Sequence, residues 1–160
     1  MVLVHDDWIT RAMLHLVEEE KIVPNGAGAT SLAALMAMPE VLPELRDKTV
    51  VCVVTGSNID WVTLSLALER GMAIEGRMIK VTISLPCDNY GVCLKVYSII
   101  SNLGCNILKS VKDHASLTED DFYTDFTTLI CETRGLEHAC TLKRVMNKLF
   151  PGICDFYQEP

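Results

Sequence analysis

Thr55-Gly56-Ser57-Asn58 places a hydroxyl and a flexible turn directly behind five uncharged residues, Val50-Val51-Cys52-Val53-Val54. At the carboxyl end of a strand, such a turn exposes backbone N–H groups and a hydroxyl that suit an anion or a polar ring atom. The same corner also occurs in α/β proteins purely as a connection, with Asn58 or Asp60 capping the next helix. Asn25-Gly26-Ala27-Gly28-Ala29-Thr30 is a second small-residue stretch. A dinucleotide loop needs a third glycine and a P-loop needs Gly-Lys-Ser/Thr; both are missing, so close backbone packing at a helix start explains its glycines better. Two further loop signals are Asp88-Asn89-Tyr90-Gly91 and Gly104-Cys105-Asn106.

The seven cysteines form no C-x-x-C pair, and the four histidines do not fall at ligand spacing beside them. Reduced, mostly buried thiols without disulfides or a metal are expected. A net charge of -7 argues against nucleic acid or an anionic membrane as partner. No apolar run is long enough to span a bilayer, and the first residues lack the basic and apolar regions of a signal peptide. A cytoplasmic location is the expectation.

These stretches must be held by regular elements. Ile9, Met13, Leu16 and Val17 recur at helical spacing, predicting a helix from Asp7 to about Glu20. Residues 24–31 read as a loop, followed by a small-residue helix from Leu32 to Met38 that Pro39 ends. The unbroken apolar run at 50–54 predicts a parallel strand buried on both faces. Trp61, Leu64, Leu68 and Met72 mark the helix after it. From Arg77 the texture changes. Val81, Ile83 and Leu85 alternate with polar residues as a strand, and Val92, Val96, Ile99, Ile100 and Leu103 follow as a helix. Strands are expected from Asn106 and across 122–133, separated by a polar loop at 113–121. A helix at 135–149 and a last strand at 153–157 complete the order βαββαβ, a ferredoxin-like unit. The fold class is therefore α/β, with residues 1–76 as part of a three-layer domain and 77–160 as a separate small domain.

Taken in order, Asp6-Asp7-Trp8-Ile9, Asn25-Gly26-Ala27-Gly28-Ala29 and Lys48 through Asp60 resemble the end of the catalytic domain of threonine dehydratases. These are pyridoxal-phosphate ammonia-lyases of the tryptophan-synthase-β fold type. The resemblance implies that Thr55 and Gly56 stand where the family's Ser-Gly-Gly-Asn strand end meets the cofactor ring, with Asn25 nearby. A hydroxyl partner leaves the pyridine nitrogen largely unprotonated, which favours β-elimination over transamination. Residues 77–160 are similar to an ACT domain, with Cys131 to His138 matching its strand-to-helix junction. That likeness implies an amino-acid effector near Asp88, Asn89, Gly91 and Asn106.

The sequence departs from the family pattern at several points. Asn25-Gly26 stands in place of the family's Glu-Pro, Ser57 in place of its second turn glycine, and Tyr90 in place of a common proline. No lysine has the Ser-x-Lys-x-Arg-like setting of the Schiff-base lysine, and no phosphate-binding glycine run occurs. No catalytic residue is therefore assigned. The expectation is the C-terminal part of a threonine/serine dehydratase, with pyridoxal phosphate implied by the resemblance and an amino acid as effector or substrate. It includes homo-oligomers or mixed oligomers with a full-length dehydratase. The alternative is a non-catalytic sensing or dimerisation module that regulates such an enzyme.

Overall fold

The computed structural model describes residues 2–37, 42–86, 90–114 and 124–157. They form five α-helices and one four-stranded antiparallel sheet, an α/β protein that divides into two compact units, residues 1–74 and 75–160. No helix among the described residues is long and apolar enough to cross a membrane.

The first unit is helical. Helix α1 (Asp6–Glu18) starts where the His5 side chain accepts a hydrogen bond from the Asp7 N–H, and Asp6 and Asp7 complement the positive end of its dipole. Helix α2 (Gly26–Ala37) is poor in side-chain bulk, and helix α3 (Trp61–Ile74) closes the unit. Ala12, Met13 and Leu16 of α1 pack with Ala29 and Ala33 of α2 and Leu64 of α3. A Cβ at Gly71 of α3 would lie 2.9 Å from the Thr10 carbonyl oxygen of α1, so glycine lets these helices approach closely. Arg70 fastens the same pair by donating to the Asp7 carboxylate at 2.9 Å through Nε.

Two expectations fail here. Residues 50–54 form no strand, and Val51 and Val53 are 84% and 68% exposed. A parallel strand needs ladder partners, and the described residues of this unit contain no other strand to supply them. The run of β-formers therefore acts as one-sided chain: Val54 packs on the helical cluster while its neighbours face water. The expected three-layer segment, a parallel strand with helices, is in these residues a set of helices with an extended connection. Helix α2 also starts six residues earlier than expected, at Gly26 rather than Leu32.

The second unit follows the order βαββαβ: β1 (Met78–Pro86), α4 (Tyr90–Asn102), β2 (Asn106–His114), β3 (Thr124–Glu132), α5 (Leu136–Leu149) and β4 (Cys154–Tyr157). The strands lie in the order β2-β3-β1-β4, all pairs antiparallel, with Thr82 opposite Thr128 at the centre. Ile107 pairs with Cys131 but Lys109 with Ile130, so Leu108 is an extra residue, a bulge in the outer strand β2. Ile79, Val81, Ile83 and Leu85 alternate inward on β1, as do Asp125, Thr127, Leu129 and Cys131 on β3. Val96 and Ile100 of α4 and Ala139, Leu142 and Met146 of α5 complete this core. The buried Asp125 carboxylate is paired with Lys112 at 2.7 Å. Strand β2 continues through residues 113 and 114, which were expected to be loop.

Candidate functional site

The first candidate site is a corner built by Asn25, Gly28, Thr55 and Gly56. Asn25 precedes α2, and its Oδ1 accepts a hydrogen bond from the Gly28 N–H at 2.8 Å, which caps the helix. The Asn25 backbone N–H donates to the Gly56 carbonyl at 2.8 Å, and the Ser31 hydroxyl donates to the Val53 carbonyl at 3.0 Å. A Cβ on Gly28 would sit 1.6 Å from the Thr55 carbonyl oxygen, a distance no side chain can occupy. Gly56 has φ +71°, and its missing Cβ leaves room for the Asn25 amide, which would otherwise be 2.7 Å away. At the far end of the turn, Asp60 accepts from the Thr63 N–H at 2.9 Å and its hydroxyl at 2.6 Å, starting α3. These bonds, the Thr63 hydroxyl's above all, hold the Asp60 carboxyl below the usual carboxylate range.

The structure thus brings together the three residues expected to meet a cofactor, Asn25, Thr55 and Gly56. Their groups fit one another rather than pyridoxal phosphate. The Asn25 amide oxygen is engaged in the helix cap, Thr55 lies exposed, and the Lys21 ammonium donates to the Glu18 carbonyl at the end of α1. Lys48, the other lysine of this unit, is also exposed. A cofactor of that size needs a cleft, a cup of backbone amides for its phosphate and an amine. The described corner supplies a hydroxyl and a turn.

The second candidate site lies in residues 75–160. Asp88 and Asn89 fall outside the described residues. Gly91 stands in the first turn of α4, exposed, with open space where a side chain would begin. Asn106 begins β2, and its Nδ2 donates to the Glu132 carboxylate at 3.2 Å. Strand register separates these two within the chain. Asn106 pairs with Glu132, which pairs with Met78, the first residue of β1, whereas α4 follows the last residue of β1. Nine residues of strand, roughly 30 Å, lie between those ends.

Around Asn106 the structure assembles residues that spacing alone does not single out. Gly104 (φ +76°) lies beneath the Arg134 guanidinium, which would be 3.2 Å from a Cβ there. His138 reaches back from α5: its Nδ1 is 3.1 Å from the Arg134 N, and its Nε2 lies 2.9 Å from the Leu103 carbonyl and 3.5 Å from Cys105 Sγ. The Thr133 hydroxyl donates to the Gly76 carbonyl, tying this junction to the start of the unit. Burial pushes the Cys105 thiol up, with Arg134 opposing the shift. No group of three or more His, Cys, Asp or Glu among the described residues has the placement to hold a metal ion.

No protein-family model matches the chain. It is 36% identical over 138 residues to an L-threonine ammonia-lyase of Geobacter sulfurreducens, covering 86% of this chain and 33% of that protein. It is 30% identical over 146 residues to an L-threonine ammonia-lyase of Thermotoga maritima, covering 91% of the chain and 35% of that protein. A catabolic L-threonine dehydratase of Staphylococcus aureus matches over 73 residues at 37% identity, 46% of the chain and 21% of that protein. The chain thus spans about a third of the length of the first two curated relatives it matches. Over most of its own length, it is related to a segment of L-threonine ammonia-lyases.

Proposed function

We propose that the chain is the C-terminal, regulatory portion of a threonine/serine dehydratase, with residues 77–160 forming an ACT domain of ferredoxin-like fold. In the complete enzyme the reaction is elimination of water from L-threonine or L-serine, giving a 2-oxoacid and ammonia. Residues 1–76 are the remnant of the cofactor domain. When bound in a complete enzyme, pyridoxal phosphate supplies the electron sink for that elimination. In this chain the corner braced by Asn25 and Gly56 fits its own residues rather than that cofactor, so Thr55 is given no role toward it. The chain alone is not the catalyst, since the lysine setting and glycine run of the family are missing from it.

The observation that carries the reading is one of order. A match running through 86–91% of the chain continues from the corner into a βαββαβ unit with strand order β2-β3-β1-β4. That element order and that antiparallel sheet are the ones a ferredoxin-like unit requires. The effector is an amino acid, bound by the segment Asp88 to Gly91 and by Asn106. Because register sets Gly91 and Asn106 at opposite ends of one sheet, the two parts bind together only where two copies, or this chain and a full-length dehydratase, meet.

The test is a thermal-shift series with L-isoleucine, L-valine, L-threonine and L-serine. A ligand that binds only the folded state at about a hundred times its Kd adds about 2.7 kcal/mol of stability. One amino acid of the four is expected to raise Tm and to promote association. A flat response to all four, together with a stable dimer, favours the alternative of a structural dimerisation module. Growth of the visible absorbance of a lysine-bound cofactor on adding pyridoxal phosphate would overturn the non-catalytic assignment.

A further inference from the structure

Helix α5 begins without the usual help. Its N-cap residue is Gly135, in a conformation (φ +118°) reserved for glycine, and it has no side chain with which to satisfy the first N–H groups. His138, three residues on, bonds instead to the residue before the cap. In a capping box the third helical residue reaches back to the backbone N–H of the cap. Here His138 occupies that third position, and its ring reaches one residue further, to the Arg134 N–H at 3.1 Å.

The bonding partners determine the tautomer. A backbone N–H can only donate, so Nδ1 is an acceptor without a proton. The Leu103 carbonyl can only accept, so Nε2 carries the proton and donates to it at 2.9 Å. The neutral ring therefore joins the end of α4, the Gly104–Asn106 turn and the β3–α5 junction through two bonds of opposite polarity. We propose that His138 is a pH-sensitive latch, which closes this junction when neutral and opens it when protonated.

Adding a proton to Nδ1 sets an N–H against the Arg134 N–H, so that bond is lost and the two groups repel. The bond to Leu103 survives and gains charge assistance, because carbonyls at a helix carboxyl end favour a cation. Protonation thus frees the β3–α5 junction while leaving the α4 end attached. The charged and titratable groups around the ring come from each neighbouring segment. The Arg134 guanidinium lies over Gly104, next in sequence to the Leu103 carbonyl that the ring bonds, and His138 itself stands in the first turn of α5. Glu137 adjoins His138 on α5 and Glu132 ends β3, and the Cys105 thiol, 3.5 Å from Nε2 and pushed up by burial, stays neutral.

The experiment uses the 160-residue chain. Ring ¹⁵N shifts of His138 by NMR at about pH 7.5 report the tautomer, and the exchange protection of the Arg134 amide is followed down to about pH 5.5, across the range where imidazole titrates. The expected result is the Nε2–H tautomer, with Arg134 protection falling at least about tenfold in step with His138 protonation. In His138→Asn, whose amide oxygen accepts from the Arg134 N–H but does not titrate, the fall disappears. Three results overturn the proposal: the Nδ1–H tautomer in the unmodified chain, unchanged Arg134 protection while His138 titrates, or an equal fall in the Asn variant. The tautomer measurement needs no variant, so it decides the matter even where His138→Asn does not fold.

Discussion

At the scale of single residues, the corner of the first unit depends on two positions that look interchangeable with alanine and are not. Asn25 caps α2 with its side chain and holds Gly56 with its backbone. Truncation to alanine removes the cap and leaves the backbone bond, so Asn25→Ala is expected to cost about 1 kcal/mol in urea denaturation. Gly28→Ala is a different matter. Its Cβ would lie 1.6 Å from the Thr55 carbonyl oxygen, and only backbone movement can relieve that. We expect a loss of several kcal/mol, larger than Asn25→Ala by a clear margin, because overpacking against backbone has no rotamer to retreat into. A Gly28→Ala chain as stable as the unsubstituted one would refute the close packing of α2 on residues 55–56. The cap was missed in the sequence: Asn before a run of small residues is an N-terminal signal, but the glycines after it read as loop up to residue 31. His138 was not legible, because one histidine on a helix carries no spacing to compare, and its partners come from positions 103 to 105 and 134.

Among the elements, what separates legible from illegible is whether a segment finds its partner within the chain. Strand β3 buries every second residue because β1 and β2 flank it, and its alternation in the sequence is that burial pattern. The helices after residue 77 are legible for the same reason, each having a sheet face to lie on. Residues 50–54 have stronger β-formers than β3 yet make no strand, since β-propensity describes fitness for a pleated surface and cannot create the neighbour. This contrast is measurable. Val51→Thr is expected to change stability by less than about 0.5 kcal/mol, as for an exposed site, whereas Leu129→Ala on β3, fully buried, should cost about 2–5 kcal/mol. A cost of about 2 kcal/mol at Val51 would mean that this segment is packed on both faces after all.

For the whole molecule, the two hydrophobic clusters lie in different units, and alkaline pH is expected to act on one of them. Burial pushes the Cys131 thiol up to about 12 and the Cys154 thiol up to about 11, and both belong to the unit formed by residues 75–160. In the unfolded chain these thiols ionise near 9. The folded state therefore holds their protons more tightly than the unfolded state does. The contribution of these two thiols to stability is constant below about pH 9 and falls as pH rises from about 9 toward about 11–12, where the unfolded state alone has released them. In the first unit, Cys52 is only half-buried. Both tryptophans, Trp8 and Trp61, report on the first unit, while the sheet belongs to the second. Raising the pH from about 8 to about 10.5 in moderate urea is expected to erase the sheet signal in circular dichroism while tryptophan emission stays native. Cys131→Ala should weaken that pH dependence, because it removes the group with the larger shift. Coincident loss of both signals would mean that the two units unfold as one cooperative body, since probes in independent units have no reason to coincide.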